Sequence, residues 1–106
     1  MWNITFQSVN FKSGAMLEEF ACKKVKKLFE QDSSIIRADI KIFESSAEIP
    51  ENQCCEIQLS VSGENHFIKK NSENYEKSIS LAVDSLRKVL RRKKTKMMID
   101  RRKMLE

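Results

Sequence analysis

Residues 2–9 alternate, with Trp2, Ile4 and Phe6 on one side and Asn3, Thr5 and Gln7 on the other. That is the period-two signature of a half-buried strand. From about Ala15 to Glu30 the period lengthens, and Leu17, Phe20, Ala21, Val25 and Leu28 fall on one stripe at helical spacing. Ser13 is placed to cap this helix. Lys23 and Lys26 face away from the stripe, and Lys24 lies at its edge, where its stem can run along apolar surface. A second strand follows, with Ile36, Ala38, Ile40 and Ile42 set against Arg37, Asp39 and Lys41. An acidic loop, ESSAEIPENQ, holds the only proline. Cys55, Ile57, Leu59 and Val61 then alternate with Glu56, Gln58 and Ser60 as a third strand. Ser62 to Asn65, with Gly63, reads as a hairpin connection. His66 to Lys70 is a short fourth strand whose phase the pattern leaves open. Ser72 is a fair N-cap for a second helix, with Glu73 and Glu76 behind it. The stripe of that helix is Tyr75, Ile79, Ala82, Val83, Leu86 and Leu90. Lys93 would fall on the stripe, so the helix is expected to leave the core near there, because an unpaired buried ammonium is costly.

The order β-α-β-β-β-α predicts an α+β fold. Two amphipathic helices must hide their stripes, and four half-polar strands have one apolar face. The economical solution packs both helices on one face of a four-stranded sheet and leaves the other face wet. That wet face carries Arg37, Asp39, Lys41, Glu56 and Gln58. No aromatic pair spaced to stack bases is apparent on it, which argues against an RRM-type platform. Residues 1–94 form the expected domain. Residues 95–106 form a basic extension, either a projecting helix or, as expected for a terminus with few apolar contacts, a mobile tail.

A length of 106 residues suits one domain. Two Gly and one Pro exclude collagen-like and linker-rich classes. No apolar run approaches the ~20 residues that span a bilayer. The opening MWNITFQSVNF lacks the basic start and apolar block of a signal peptide. Cys22, Cys54 and Cys55 form no C-x-x-C pair, so reduced thiols in a cytosol are expected. His66 is the single histidine and has no partner at metal-ligand spacing; no metal or cofactor is expected. There is no Ser/His/Asp set and no Gly-rich phosphate loop, so the composition argues against an enzyme. Cys22 sits beside helical lysines, which would lower its pKa, but no base partner accompanies it.

Charge changes the picture most. Arg87 to Lys103 holds ten of the twenty Lys and Arg against one acid, Asp100, a net +9. The remainder holds ten bases against fourteen acids, a net −4. A mildly acidic body with one concentrated positive pole is an electrostatic address for a polyanion. The plainer reading is a solvated helix end whose cations suit the helix dipole.

Three runs carry a family resemblance. They are NITFQSVNF leading to KKVKKL, the strands IRADIKIF and CEIQLSVSGENHFIKK, and above all NSENYEKSISLAVDSLRKVLRRKKTK. In order and spacing, over roughly residues 2–96, they resemble the ribosome hibernation-promoting factor family, also called sigma-54 modulation proteins. The resemblance implies a short-form cytosolic stress protein that binds the small ribosomal subunit over the tRNA and mRNA sites and silences translation. It implies a partner in ribosomal RNA, no membrane, no small-molecule substrate and a monomer off the ribosome. It also implies that Lys24, Lys27, Lys70, Arg87, Lys88, Arg91, Arg92 and Lys94 contact RNA backbone, with Lys23 and Lys26 fitting by charge. The family's long form has a second domain for which 106 residues leave no room.

Two other binding classes compete. One is a generic double-stranded RNA binder, which would hold a simple duplex as well as a ribosome. The other is an interaction module using Met97, Met98, Met104 and Leu105 as a partner helix.

Overall fold

The computed structural model describes residues 3–9, 12, 14–45 and 49–105, with side chains described to residue 92. Six elements follow in order: β1 (Asn3–Ser8), α1 (Ala15–Gln31), β2 (Ile35–Glu44), β3 (Gln53–Val61), β4 (Glu64–Ser72) and α2 (Tyr75–Leu105). The strands form one sheet in the order β1-β2-β3-β4. β1 and β2 are parallel, with Ile4 beside Ala38 and Ser8 beside Ile42. A parallel pair needs a long crossover, and α1 supplies it. The β2–β3 and β3–β4 pairs are antiparallel. Gly63 closes the second hairpin at φ +80°, a conformation that a Cβ disfavours.

Both helices lie on one face of the sheet, as the stripes require. Val25 and Leu28 of α1 and Ile79, Ala82, Val83, Leu86 and Leu90 of α2 join Ala38, Ile40, Ile42, Cys55, Ile57, Leu59 and Val61 in one core. Ile4, Phe6 and Ile68 cover the edges of this core. Trp2 and Ser13 lie outside the described residues.

Three expectations need correction. Ile36 was expected to point inward, but it is 58% exposed and Ile35 is buried instead. A β-bulge between Ile35 and Arg37 inserts one residue and shifts the phase. Alternation counted back from Ile42 cannot detect it. Next, Ser72 is not the cap of α2. β4 continues through Ser72, and Asn74 caps the helix by accepting the Lys77 N–H at its Oδ1, 2.7 Å away. The Ser72 hydroxyl instead meets the buried Ser78 hydroxyl at 2.7 Å, and Ser78 reaches the Gln53 carbonyl oxygen at 2.6 Å. This network fastens the start of α2 to β3.

Finally, the Cys22 thiol is not activated. Burial, then Glu18, push its pKa up, and Lys26 opposes them without winning. Burial pushes Cys55 to about 12. Cys54 is buried on the other side of β3. We therefore expect iodoacetamide at pH 8 to label at most Cys22 in the folded protein, and all three thiols in denaturant. Mass spectrometry of the labelled peptides checks this, and labelling of Cys55 as fast as Cys22 would contradict the buried placement.

The backbone of α2 does not stop where its apolar stripe ends. It stays helical to Leu105, 31 residues in all. Arg91 and Arg92, the next two residues after buried Leu90, are already exposed. The helix has thus left the core where expected but keeps its form beyond it.

Candidate nucleic-acid interface

The topology makes α1 and α2 parallel, because each runs back against the strand before it and those strands, β1 and β4, point the same way. The shared core sets them side by side, and one hydrogen bond shows which residues lie level. The Gln31 side-chain amide at the end of α1 donates to the Arg87 carbonyl oxygen, 3.2 Å away. Gln31 therefore marks the flank of α1 that faces α2. Lys24 and Lys27 lie on that same flank, seven and four residues earlier. On α2, Arg87 sits level with Gln31, and Arg91 follows one turn on. Helical spacing thus brings these four residues to the neighbouring flanks of the two helices.

The other candidates distribute around these four. Lys23 and Lys26 are exposed on the outer side of α1, and Lys88 and Arg92 are exposed on α2. Lys24 is half-buried, with its ammonium 5.6 Å from the Phe20 ring centroid. Its stem packs on apolar surface while its charge stays near solvent. The side chain of Lys94 lies outside the described residues. Lys70 is not brought to these flanks. It pairs with Cys55 on edge strand β4, close to where α2 begins. Tyr75 and Arg87 are twelve residues apart, about 18 Å along a helix, so Lys70 sits near the opposite end of the domain.

Among the described residues, ion pairs join Arg37 to Asp39 and Lys77 to Glu73, and the His66 ring lies 3.8 Å from the Glu64 carboxylate. None of them involves Lys23, Lys24, Lys26, Lys27, Arg87, Lys88 or Arg92. These cations are not neutralised by neighbouring carboxylates there and remain available to an external anion. Past the end of α1, helical backbone carries the pole outward. Arg87 to Leu105 spans about 27 Å at the usual rise. The charge separation seen in composition is thus also spatial.

The opposite face of the sheet differs from its expected makeup. Register places Phe67 and Lys69 of β4 outward, opposite Gln58 and Glu56 of β3. Phe43 of β2 faces the same way, half-buried, and Phe67 is 62% exposed. Two aromatic rings that the strand pattern did not place there therefore stand on the wet face, although they are not spaced as a pair to stack adjacent bases. Phe67 was missed because the phase of β4 was open, and Phe43 because it sits at the strand end beside the acidic loop. The Lys41 and Lys69 ammoniums lie 5.9 and 5.4 Å from the Phe43 ring centroid. Asp39 accepts hydrogen bonds from Thr5 at 2.5 Å and Arg37 at 2.8 Å. Burial alone would raise its pKa, but these bonds and the Arg37 charge hold it below the ordinary value.

Residues 4–98 match the family described as Sigma 54 modulation protein / S30EA ribosomal protein. No curated protein matches the chain. Among solved structures, a ribosomal subunit interface protein from Coxiella burnetii is similar, with a TM-score of 0.77 and 15% identity, over 88% of this chain and 98% of that one. The N-terminal domain of Protein Y from Thermus thermophilus is also similar, with a TM-score of 0.68 and 20% identity, over 87% of this chain and 98% of that one. At these identities the two structures support the fold.

Proposed function

This chain belongs to the sigma 54 modulation protein / S30EA ribosomal protein family, and from that premise we propose that it is a ribosome-associated inhibitor of translation. In this reading it works in the cytoplasm, without catalysis. It seats on the small ribosomal subunit in the channel for tRNA and mRNA and holds idle ribosomes silent. The observation that carries the reading is the placing of Lys24, Lys27, Arg87 and Arg91 on the neighbouring flanks of two rigid helices. Folded ribosomal RNA is gripped mostly through phosphates and shape. Cations at fixed spacing on helices suit that task, and the sheet beneath fixes the spacing. The structurally similar protein from Coxiella burnetii is a ribosomal subunit interface protein, which agrees with the reading.

Co-sedimentation with separated small and large subunits, at low and moderate salt, tests the proposal. The expected result is near-stoichiometric binding to the small subunit that survives moderate salt, and that a prebound tRNA and mRNA exclude. Each phosphate contact releases counterions, so affinity still declines with salt. Equal binding to both subunits, lost together as salt rises, would leave only a sticky basic helix and overturn the proposal.

A further inference from the structure

The geometry points to a second RNA-binding surface: the outer face of the sheet, with Phe43, Phe67, Lys41 and Lys69, takes a single-stranded RNA segment across its strands. The inference does not rest on the helix-borne reading. It uses the opposite side of the molecule and a different chemistry, base stacking.

Four observations carry it. First, Phe67 stands 62% exposed on a strand whose next outward residue is Lys69. Most of that apolar ring is left open to a ligand. Second, Lys41 and Lys69 flank Glu56 in register. Neither makes an ion pair with it among the described residues; both ammoniums lie over the Phe43 ring instead. The ring and two unpaired cations form one unit that offers a stacking surface and two phosphate contacts. Third, the acids of this face sit beside cations: Asp39 is bound by Thr5 and Arg37, and Glu56 stands in register between Lys41 and Lys69. Fourth, two clefts of about 640 and 430 Å³ lie on this face and share Lys41 and Glu56. Side by side they run across the face from Thr5 on β1 to Phe67 and Lys69 on β4. Clefts that together cross four strands suit a polymer better than a compact ligand.

The spacing agrees with that occupant. Phe43 and Phe67 are two strands apart and offset by four residues in register. Strand spacing and rise place them roughly 16 Å apart. That separation is too wide for two adjacent stacked bases, and it fits rings that hold bases a few nucleotides apart on an extended strand. Base-on-aromatic stacking is sequence-tolerant, so the surface is expected to favour unpaired RNA over any one sequence.

The test uses the full chain with two labelled probes, a ten-nucleotide oligouridine and a simple RNA hairpin duplex. NMR of the ¹⁵N-labelled protein should show oligouridine shifting the amides of Lys41, Phe43, Phe67 and Lys69. Phe67→Ala should weaken oligouridine binding at least about fivefold, as expected from stacking, and leave hairpin binding unchanged. Phe67→Trp should keep it. Lys41→Gln with Lys69→Gln should lower the salt slope for oligouridine by about 1.4. Because Phe67 is exposed, these variants leave the core intact. Shifts confined to α1 and α2, or equal losses for oligouridine and hairpin in Phe67→Ala, would overturn the inference. So would a wild-type protein that ignores oligouridine. Loss of small-subunit binding would bear on the helix-borne reading alone.

Discussion

Changing Arg87, Lys88, Arg91 and Arg92 together to Glu should abolish co-sedimentation with the small subunit while the domain stays folded. The substitution moves net charge by −8 within the basic pole. Lys88, Arg91 and Arg92 are exposed and Arg87 is half-buried, and none belongs to the core. Surface substitutions of this kind usually change stability by less than about 0.5 kcal/mol each. The Gln31 contact is to the Arg87 backbone, so it survives the change of side chain. Binding through phosphates responds quite differently. Four attractive contacts become four repulsive ones, and the affinity should fall roughly 100-fold or more at physiological salt. Circular dichroism and the melting temperature report folding, and sedimentation reports binding. If the folded variant still travels with the small subunit, the basic pole is not the contact, and the proposed function fails.

Leu86→Ala should have the largest effect on the fold. Leu86 is 1% exposed and sits in α2, one residue before Arg87, packed into the core that joins both helices to the sheet. Truncating a buried Leu costs about 2–5 kcal/mol in lost transfer energy and residual cavity. For a domain of this size, that corresponds to a melting temperature lower by about 10–30 °C. Well below the new midpoint, small-subunit binding should persist, because every cation of the two flanks is still present. A shift of only two or three degrees would mean that α2 is not seated on the sheet as described, and that the alignment of Arg87 with Gln31 is not rigid.

Periodicity alone located most of the core. Ala38, Ile40 and Ile42, then Cys55, Ile57, Leu59 and Val61, point to the helices as their alternation required. The α2 stripe from Ile79 to Leu90 is buried as read. Two of the misreadings, Ile36 and Ser72, and the open phase of β4 depend on register against a neighbouring strand, and a strand's own pattern does not record an extra residue or a late end. The third, Cys22, turned on burial, which its neighbouring lysines in sequence do not report. The candidate site divides the same way. Charge marked the lysines of α1 and the arginines of α2 from composition and resemblance. Local spacing on α1 put Lys24 at the edge of the apolar stripe and Lys23 and Lys26 away from it, but did not say what either side faces.

The chain by itself determined the element order, the buried face of nearly every element, and the separation of an acidic body from a basic pole. These are properties of short windows and of composition, set by side-chain periodicity along one helix or strand. Tertiary structure decided the rest. The parallel β1–β2 pairing and the edge position of β4 set the two helices side by side. The Gln31–Arg87 bond joins residues 56 apart in sequence and marks the flanks on which the two helices meet. The same packing carried Lys70 to the far end and brought Phe43 beneath Lys41 and Lys69. Contacts between distant segments form only when the hydrophobic stripes are buried together, so no single segment encodes them.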